Sequence, residues 1–157
     1  MKQKIYIETS IFSYLTARPS NDLRAAANQN TTNEWWENRK PEFEIYISEF
    51  VAAEASQGNA EASARRMAVI SNIPMLEATE AVRKLGKAFV EEGPIPTGSE
   101  IDAYHIAIAA VNGIDYLLTW NCKHIANAVM RPKIEEICRY YGYEPPIICT
   151  PQELMEG

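Results

Sequence analysis

Ser99–Asn121 reads SEIDAYHIAIAAVNGIDYLLTWN, and its two halves carry different periods. Ile101, Ala103, Ile106, Ala107 and Ala110 recur at helical spacing, with Ser99 as the expected N-cap and Asn112-Gly113 as the stop. Ile114–Trp120 is a strand-length run that enters a turn at Asn121-Cys122. A helix delivering the chain into a strand is the building unit of a parallel sheet, because parallel neighbours need a crossover of a dozen or more residues.

The same alternation extends outward in both directions. Toward the N-terminus, Lys4–Ile7 (KIYI) is a β-branched and aromatic strand ending at Glu8, and IFSYLTARP has helical or turn character before Pro19. Asp22–Arg39 is rich in helix formers and is closed by Pro41, Glu44–Ser48 (EIYIS) reads as a strand, and Ser48 caps an Ala-rich helix stopped by Gly58. Ala60–Ser71 predicts a helix, Ile73–Leu76 an edge strand because of its proline, and Thr79–Glu92 a helix capped by Thr79. Beyond the opening stretch lie a helix over Ile134–Tyr141 and a last strand over Pro146–Cys149. Strands separated by helices along the whole chain predict an α/β sandwich around a parallel sheet.

The chain has 157 residues, enough for one sizeable core and too few for two ordinary ones, so one domain over 1–157 is expected. Apolar runs such as IAIAAV and YLLTW fall far short of the ~20 residues that span a bilayer. Cys122, Cys138 and Cys149 are an odd set without C-x-x-C spacing, and MKQKIYIETS contains no apolar leader segment; a reduced, cytoplasmic protein is expected. The net charge of −6 argues against a protein that coats nucleic acid through excess Lys and Arg. It leaves a nuclease open, since a bound cation inverts the field of a carboxylate cluster.

Polar residues interrupt the buried text at four places: Glu8 in IYIETS, Glu54 in SEFVAAEAS, Asp102 in SEIDAYHIAIAA and Asn121 in YLLTWN. Each has an ordinary explanation, such as a turn for Glu8, a solvated face for Glu54 and the positive helix N-terminus for Asp102. Together they make three carboxylates and one amide at strand ends and in helices that follow strands. Ligands of open parallel sheets sit beyond the carboxyl ends of the strands, so the set is expected to converge there on one or two Mg²⁺ or Mn²⁺ ions, which prefer oxygen ligands.

These motifs resemble the PIN domain, including the VapC-type ribonucleases of bacterial toxin-antitoxin systems. IYIETS is similar to the family's first strand with its terminal acid and Thr or Ser, VAAEAS to its Glu-bearing helix, DAYHIAIAA to its later Asp-led helix, and LLTWN to its L-x-T-x-(Asp or Asn) strand. The order matches over about Ile5–Ile125. Most members carry Asp where Glu8 stands, and many carry Asp at position 121. The resemblance implies a three-layer sandwich with a mostly parallel central sheet, and an endoribonuclease in which Glu8, Glu54 and Asp102 hold Mg²⁺ (or Mn²⁺) while Asn121 positions water or backbone. It further implies an RNA substrate, a cognate antitoxin protein and a homodimer.

Thr9, Ser10 and Thr119 are candidates to support the carboxylates by hydrogen bonds, with turn capping as the alternative. His105 and His124 follow Asp102 and Asn121 by three residues each; a structural role is expected of both. Cys122 has no neighbouring base to make it a nucleophile, and Trp35, Trp36 and Trp120 are expected in the core rather than on bases. Two other functional classes stay open: a PIN-like RNA-binding or protein-interaction module whose acidic site has drifted, and a phosphotransfer domain, for which Glu8 is a poor substitute for an Asp nucleophile.

Overall fold

A computed structural model describes residues 1–156. Five strands, β1 (Gln3–Ile7), β2 (Phe43–Ser48), β3 (Met75–Leu76), β4 (Tyr116–Leu118) and β5 (Ile147–Cys149), pair in the order β3-β2-β1-β4-β5, and every pairing is parallel. Seven α-helices connect them: α1 (Thr9–Thr16), α2 (Leu23–Asn38), α3 (Glu49–Ala55), α4 (Ala60–Ile70), α5 (Glu80–Glu91), α6 (Glu100–Val111) and α7 (Arg131–Tyr140).

The strand order determines the layering. From β1 the chain steps outward through β2 to β3, then returns across the sheet to β4 and β5 on the other side of β1. Right-handed crossovers put the helices of these two opposite journeys on opposite faces. Accordingly α1 packs on α2, α3 and α4, whereas α5 packs on α6 and α7, which makes the three-layer sandwich around an all-parallel sheet. Burial from both sides explains why Ile5, Tyr6 and Ile7 of the central strand are all fully inaccessible, along with Leu117 and Leu118.

Two features of this frame position the polar residues. The reversal of direction lies between β1 and β4, the point where parallel sheets open a crevice at the carboxyl ends of their strands. Glu8 follows β1 directly and its N–H donates to Leu118 O at 3.0 Å, locking the end of β1 to the end of β4. The expected edge strand is real, and β3 forms one margin of the sheet with Met75 exposed. Ser99 stands at the N-cap position of α6 with φ −114° and ψ 34°, where its hydroxyl caps nothing; the expected side-chain cap is absent, and Glu100 instead accepts from Gly98 N–H at 2.9 Å.

Candidate active site

Glu8 is the N-cap of α1, so its carboxylate is aimed by the strand-to-helix turn, with Oε2 accepting from Ser10 N–H at 3.2 Å. Its Oε1 accepts from the hydroxyls of Ser10 and Thr119, each at 2.5 Å. Ser10 Oγ in turn accepts from Trp120 N–H and Thr119 Oγ1 from Asn121 N–H, so the turn after β4 is stitched to the turn after β1. A carboxylate only 5% exposed is thereby hydrogen-bonded, as burial of a charge demands.

Glu54 is the penultimate residue of α3, a helix started by Ser48, whose Oγ accepts from Phe50 N–H and Val51 N–H. One carboxylate oxygen, Oε1, takes both of its side-chain partners: Thr9 Oγ1 donates to it at 2.6 Å and His105 Nε2 lies 2.6 Å away. Burial pushes the Glu54 carboxyl up, but the hydrogen bond and charge of His105 and the Thr9 hydroxyl hold it below its ordinary value. His105 is buried, which disfavours its charge, yet its hydrogen bond to Glu54 and the charges of Glu8, Glu54 and Asp102 raise its pKa.

Asp102 occupies the first turn of α6, one helical turn before His105. Both of its oxygens are engaged: Oδ1 accepts from Asn121 Nδ2 at 3.2 Å, and Oδ2 lies 2.9 Å from His124 Nδ1. Asn121 Oδ1 accepts from the N–H groups of Lys123 and His124, so its amide organises the turn while its Nδ2 holds Asp102.

Ligand atoms of Glu8, Glu54 and His105 all lie within 4.8 Å of one another. The structure therefore brings Glu8 and Glu54 together and adds His105, while Asp102 and Asn121 form a second linked pair with His124. His105, three residues after Asp102 on the same helix face and expected to be structural, joins the two acids here through its bond to Glu54. His124 is likewise tied to an acid of the set. Cys122 is exposed and apart from this network, whereas Cys138 and Cys149 are buried, with their thiols pushed up to about 12 by burial. Trp35 is fully buried and Trp36 packs against the core, while Trp120 donates its indole N–H to Thr32 Oγ1 at 2.8 Å.

The donor set fits a divalent cation. Glu54 Oε2 has no hydrogen-bond partner among the described residues although its twin oxygen has two, and it stands in a cluster with a second carboxylate.

The PIN domain model matches residues 5–123. Among solved structures, VapC20 of Mycobacterium tuberculosis, a toxin that cleaves the sarcin-ricin loop, is similar with a TM-score of 0.60 and 16% identity, over 77% of this chain and 92% of that one. VapBC2 from Rickettsia felis, solved with a DNA fragment from its promoter, is similar with a TM-score of 0.55 and 14% identity, over 94% of this chain and 98% of that one. No curated protein sequence matches. With its matched motifs running from the central strand through the turn after β4 that holds Asp102, this chain belongs to the PIN domain family.

Proposed function

We propose that this protein is a metal-dependent endoribonuclease that hydrolyses RNA phosphodiester bonds, and that it acts as the toxin of a toxin-antitoxin pair. The observation that carries the reading is the convergence of Glu8 and Glu54 at the carboxyl end of the central strands, with His105 beside them and Asp102 one helical turn before it. The VapC relatives, one a loop-cleaving toxin and the other part of a VapBC assembly, support the choice of RNA as substrate and of an antitoxin as partner. In this reading residues 1–157 work as one PIN-like unit, as a homodimer in the cytoplasm; among the described residues no helix is long and apolar enough to cross a membrane.

Glu8, Glu54 and Asp102 would hold Mg²⁺ or Mn²⁺. The chemistry supplied by such an ion is polarisation of the phosphoryl oxygen and a lowered pKa for the attacking water. The protein's own contribution is orientation: Ser10 and Thr119 fix the Glu8 carboxylate, Thr9 and His105 fix that of Glu54, and Asn121 holds Asp102. Supporting hydrogen bonds of this kind keep ligands in register before the ion arrives. Asp102→Asn with an unchanged melting curve is expected to abolish Mg²⁺-dependent cleavage of RNA; unchanged cleavage would sink the proposal. Overexpression in a bacterial host is expected to arrest growth, and harmless overexpression would remove the toxin role.

One observation favours a second reading, a drifted RNA-binding or protein-interaction module. Asp102 stands outside the cluster of ligand atoms formed by Glu8, Glu54 and His105 and is bonded instead to Asn121 and His124. Calorimetric titration with Mn²⁺ separates the two, because absence of binding at millimolar metal selects the module.

A further inference from the structure

His105 sits where either of two opposite roles is open to it, and its other ring nitrogen decides between them. Nδ1 lies 2.7 Å from Tyr6 Oη, which in turn lies 2.6 Å from Ser48 Oγ, and all three side chains are fully buried. Ser48 Oγ already accepts from Phe50 N–H at 3.1 Å and Val51 N–H at 3.4 Å. A hydroxyl oxygen has two lone pairs, so Ser48 has only its own proton left to offer, and its partner for that proton is Tyr6 Oη. Tyr6 must then direct its proton to His105 Nδ1, which accepts it, and the imidazole proton is left on Nε2, facing Glu54 Oε1. The reverse arrangement, with Nδ1 protonated, sends the Tyr6 proton to an oxygen that is already full and strands the Ser48 proton in the interior, at the cost of a buried unsatisfied group.

The separation agrees with that assignment. Two atoms coordinating one small divalent ion at ~2.0–2.2 Å in adjacent positions stand about 3 Å apart. Nε2 and Glu54 Oε1 are 2.6 Å apart, a hydrogen-bond distance. With Oε1 taken by Nε2–H and by Thr9, the carboxylate presents Oε2.

We propose that His105 is a positioning residue, not a metal ligand: its Nε2–H, set by the relay Ser48–Tyr6–His105, clamps Glu54 Oε1 so that Oε2 alone faces the cation. The inference rests on the proposed metal site and narrows it to oxygen ligands, which suit Mg²⁺ and Mn²⁺ over Zn²⁺.

The chain has only two histidines, so ¹⁵N-histidine labelling with long-range ¹H–¹⁵N correlation resolves His105, assigned by its loss in His105→Gln. At a pH high enough to leave the ring neutral, the expected result is a proton on Nε2 and none on Nδ1 in the ion-free protein, retained when Mg²⁺ saturates the site; a bare Nε2 in either state, a proton on Nδ1, or no Mg²⁺ binding at millimolar concentrations, overturns the inference. Tyr6→Phe removes the donor to Nδ1 and is expected to yield a mixture of tautomers, whereas an unchanged tautomer overturns the relay. In calorimetry His105→Gln, whose amide still donates, is expected to bind Mg²⁺ within about threefold of the parent, and His105→Leu about 10–100-fold more weakly. Equal losses in both variants overturn the clamp, and should His105→Leu fail to fold, the spectra of the parent protein decide. Retention of the Nε2 proton in a Mg²⁺-binding protein that cleaves no RNA sinks the ribonuclease reading and supports this one; cleavage with a bare Nε2 does the reverse.

Discussion

At Glu54 and His105 burial opposes charge on both partners, and each offsets the penalty of the other. Linkage then shapes the stability of the metal-free protein. Glu54 is held below its ordinary 4.5, so its contribution is complete above that value and disappears as pH falls through the lowered folded-state value. His105 is held above its ordinary 6.5, so its contribution is complete below 6.5 and disappears as pH rises through the raised folded-state value. In a chelator-containing buffer the melting temperature is expected to be highest between those limits and to fall on both sides, and Glu54→Gln is expected to flatten the profile; an identical profile in the variant refutes the pairing. Glu8, Glu54, Asp102 and Asn121 were legible in the sequence because each breaks an apolar or helical pattern. The part of His105 was not, since its partners Tyr6 and Glu54 stand 99 and 51 positions away and a histidine in an Ala-rich helix carries no local mark of them. Asn121 was legible as a position but not as a contact, because its amide bonds both the turn ahead and an acid on α6.

Among the elements, the pairing of α5 with α6 shows a constraint that local propensity misreads. Gly86 lies in the interior of α5, where glycine costs about 1 kcal/mol relative to alanine, so propensity alone recommends replacing it. A Cβ at that position would stand 2.4 Å from Tyr104 Cδ1 and 2.7 Å from Cε1. The Tyr104 ring is stacked on Phe50 at 5.2 Å and 15°, so it is packed on the other side and yields only by disturbing α3. Overpacking of this kind costs about 1–3 kcal/mol, which exceeds the propensity gain. Gly86→Ala is expected to lower stability by about 1 kcal/mol net in urea denaturation; a more stable variant would show that the ring moves freely. The elements themselves were largely readable, with helix boundaries close to those expected from capping residues: Asp22 caps α2 by accepting from Arg24 N–H and Ala25 N–H, and Thr79 caps α5. Strand limits were less so, because β4 closes at Leu118 while the apolar run continues to Trp120, which the stitching of Ser10 and Thr119 turns aside.

For the molecule as a whole, the alternation of strands and helices made the parallel sandwich readable, but the convergence of the acids depends on strand order, which no local pattern encodes. That order puts β1 and β4 side by side, and the charge of −6 makes the resulting edge a difficult place for a polyanion. Part of the basic charge is already engaged: Arg18 and Arg65 pair with Glu61, Arg39 with Glu42, Lys87 with Glu91, and Arg139 with Glu144. Where exposed, such pairs add little stability, yet they leave those cations partly neutralised toward phosphate. A protein that gathers RNA through many Lys and Arg contacts loses affinity steeply with salt, with a slope near −0.7 per phosphate neutralised on a single strand. In the proposed site a divalent ion held by the carboxylates would supply local positive charge to a phosphate. Binding of a hydrolysis-resistant RNA, followed by fluorescence anisotropy, is therefore expected to weaken about tenfold or more on chelation of Mg²⁺ and to show a slope shallower than about −2 against log salt. Affinity that survives chelation and falls steeply with salt would instead place the RNA on a basic surface away from Glu8 and Glu54, and would separate RNA binding from the acidic site altogether.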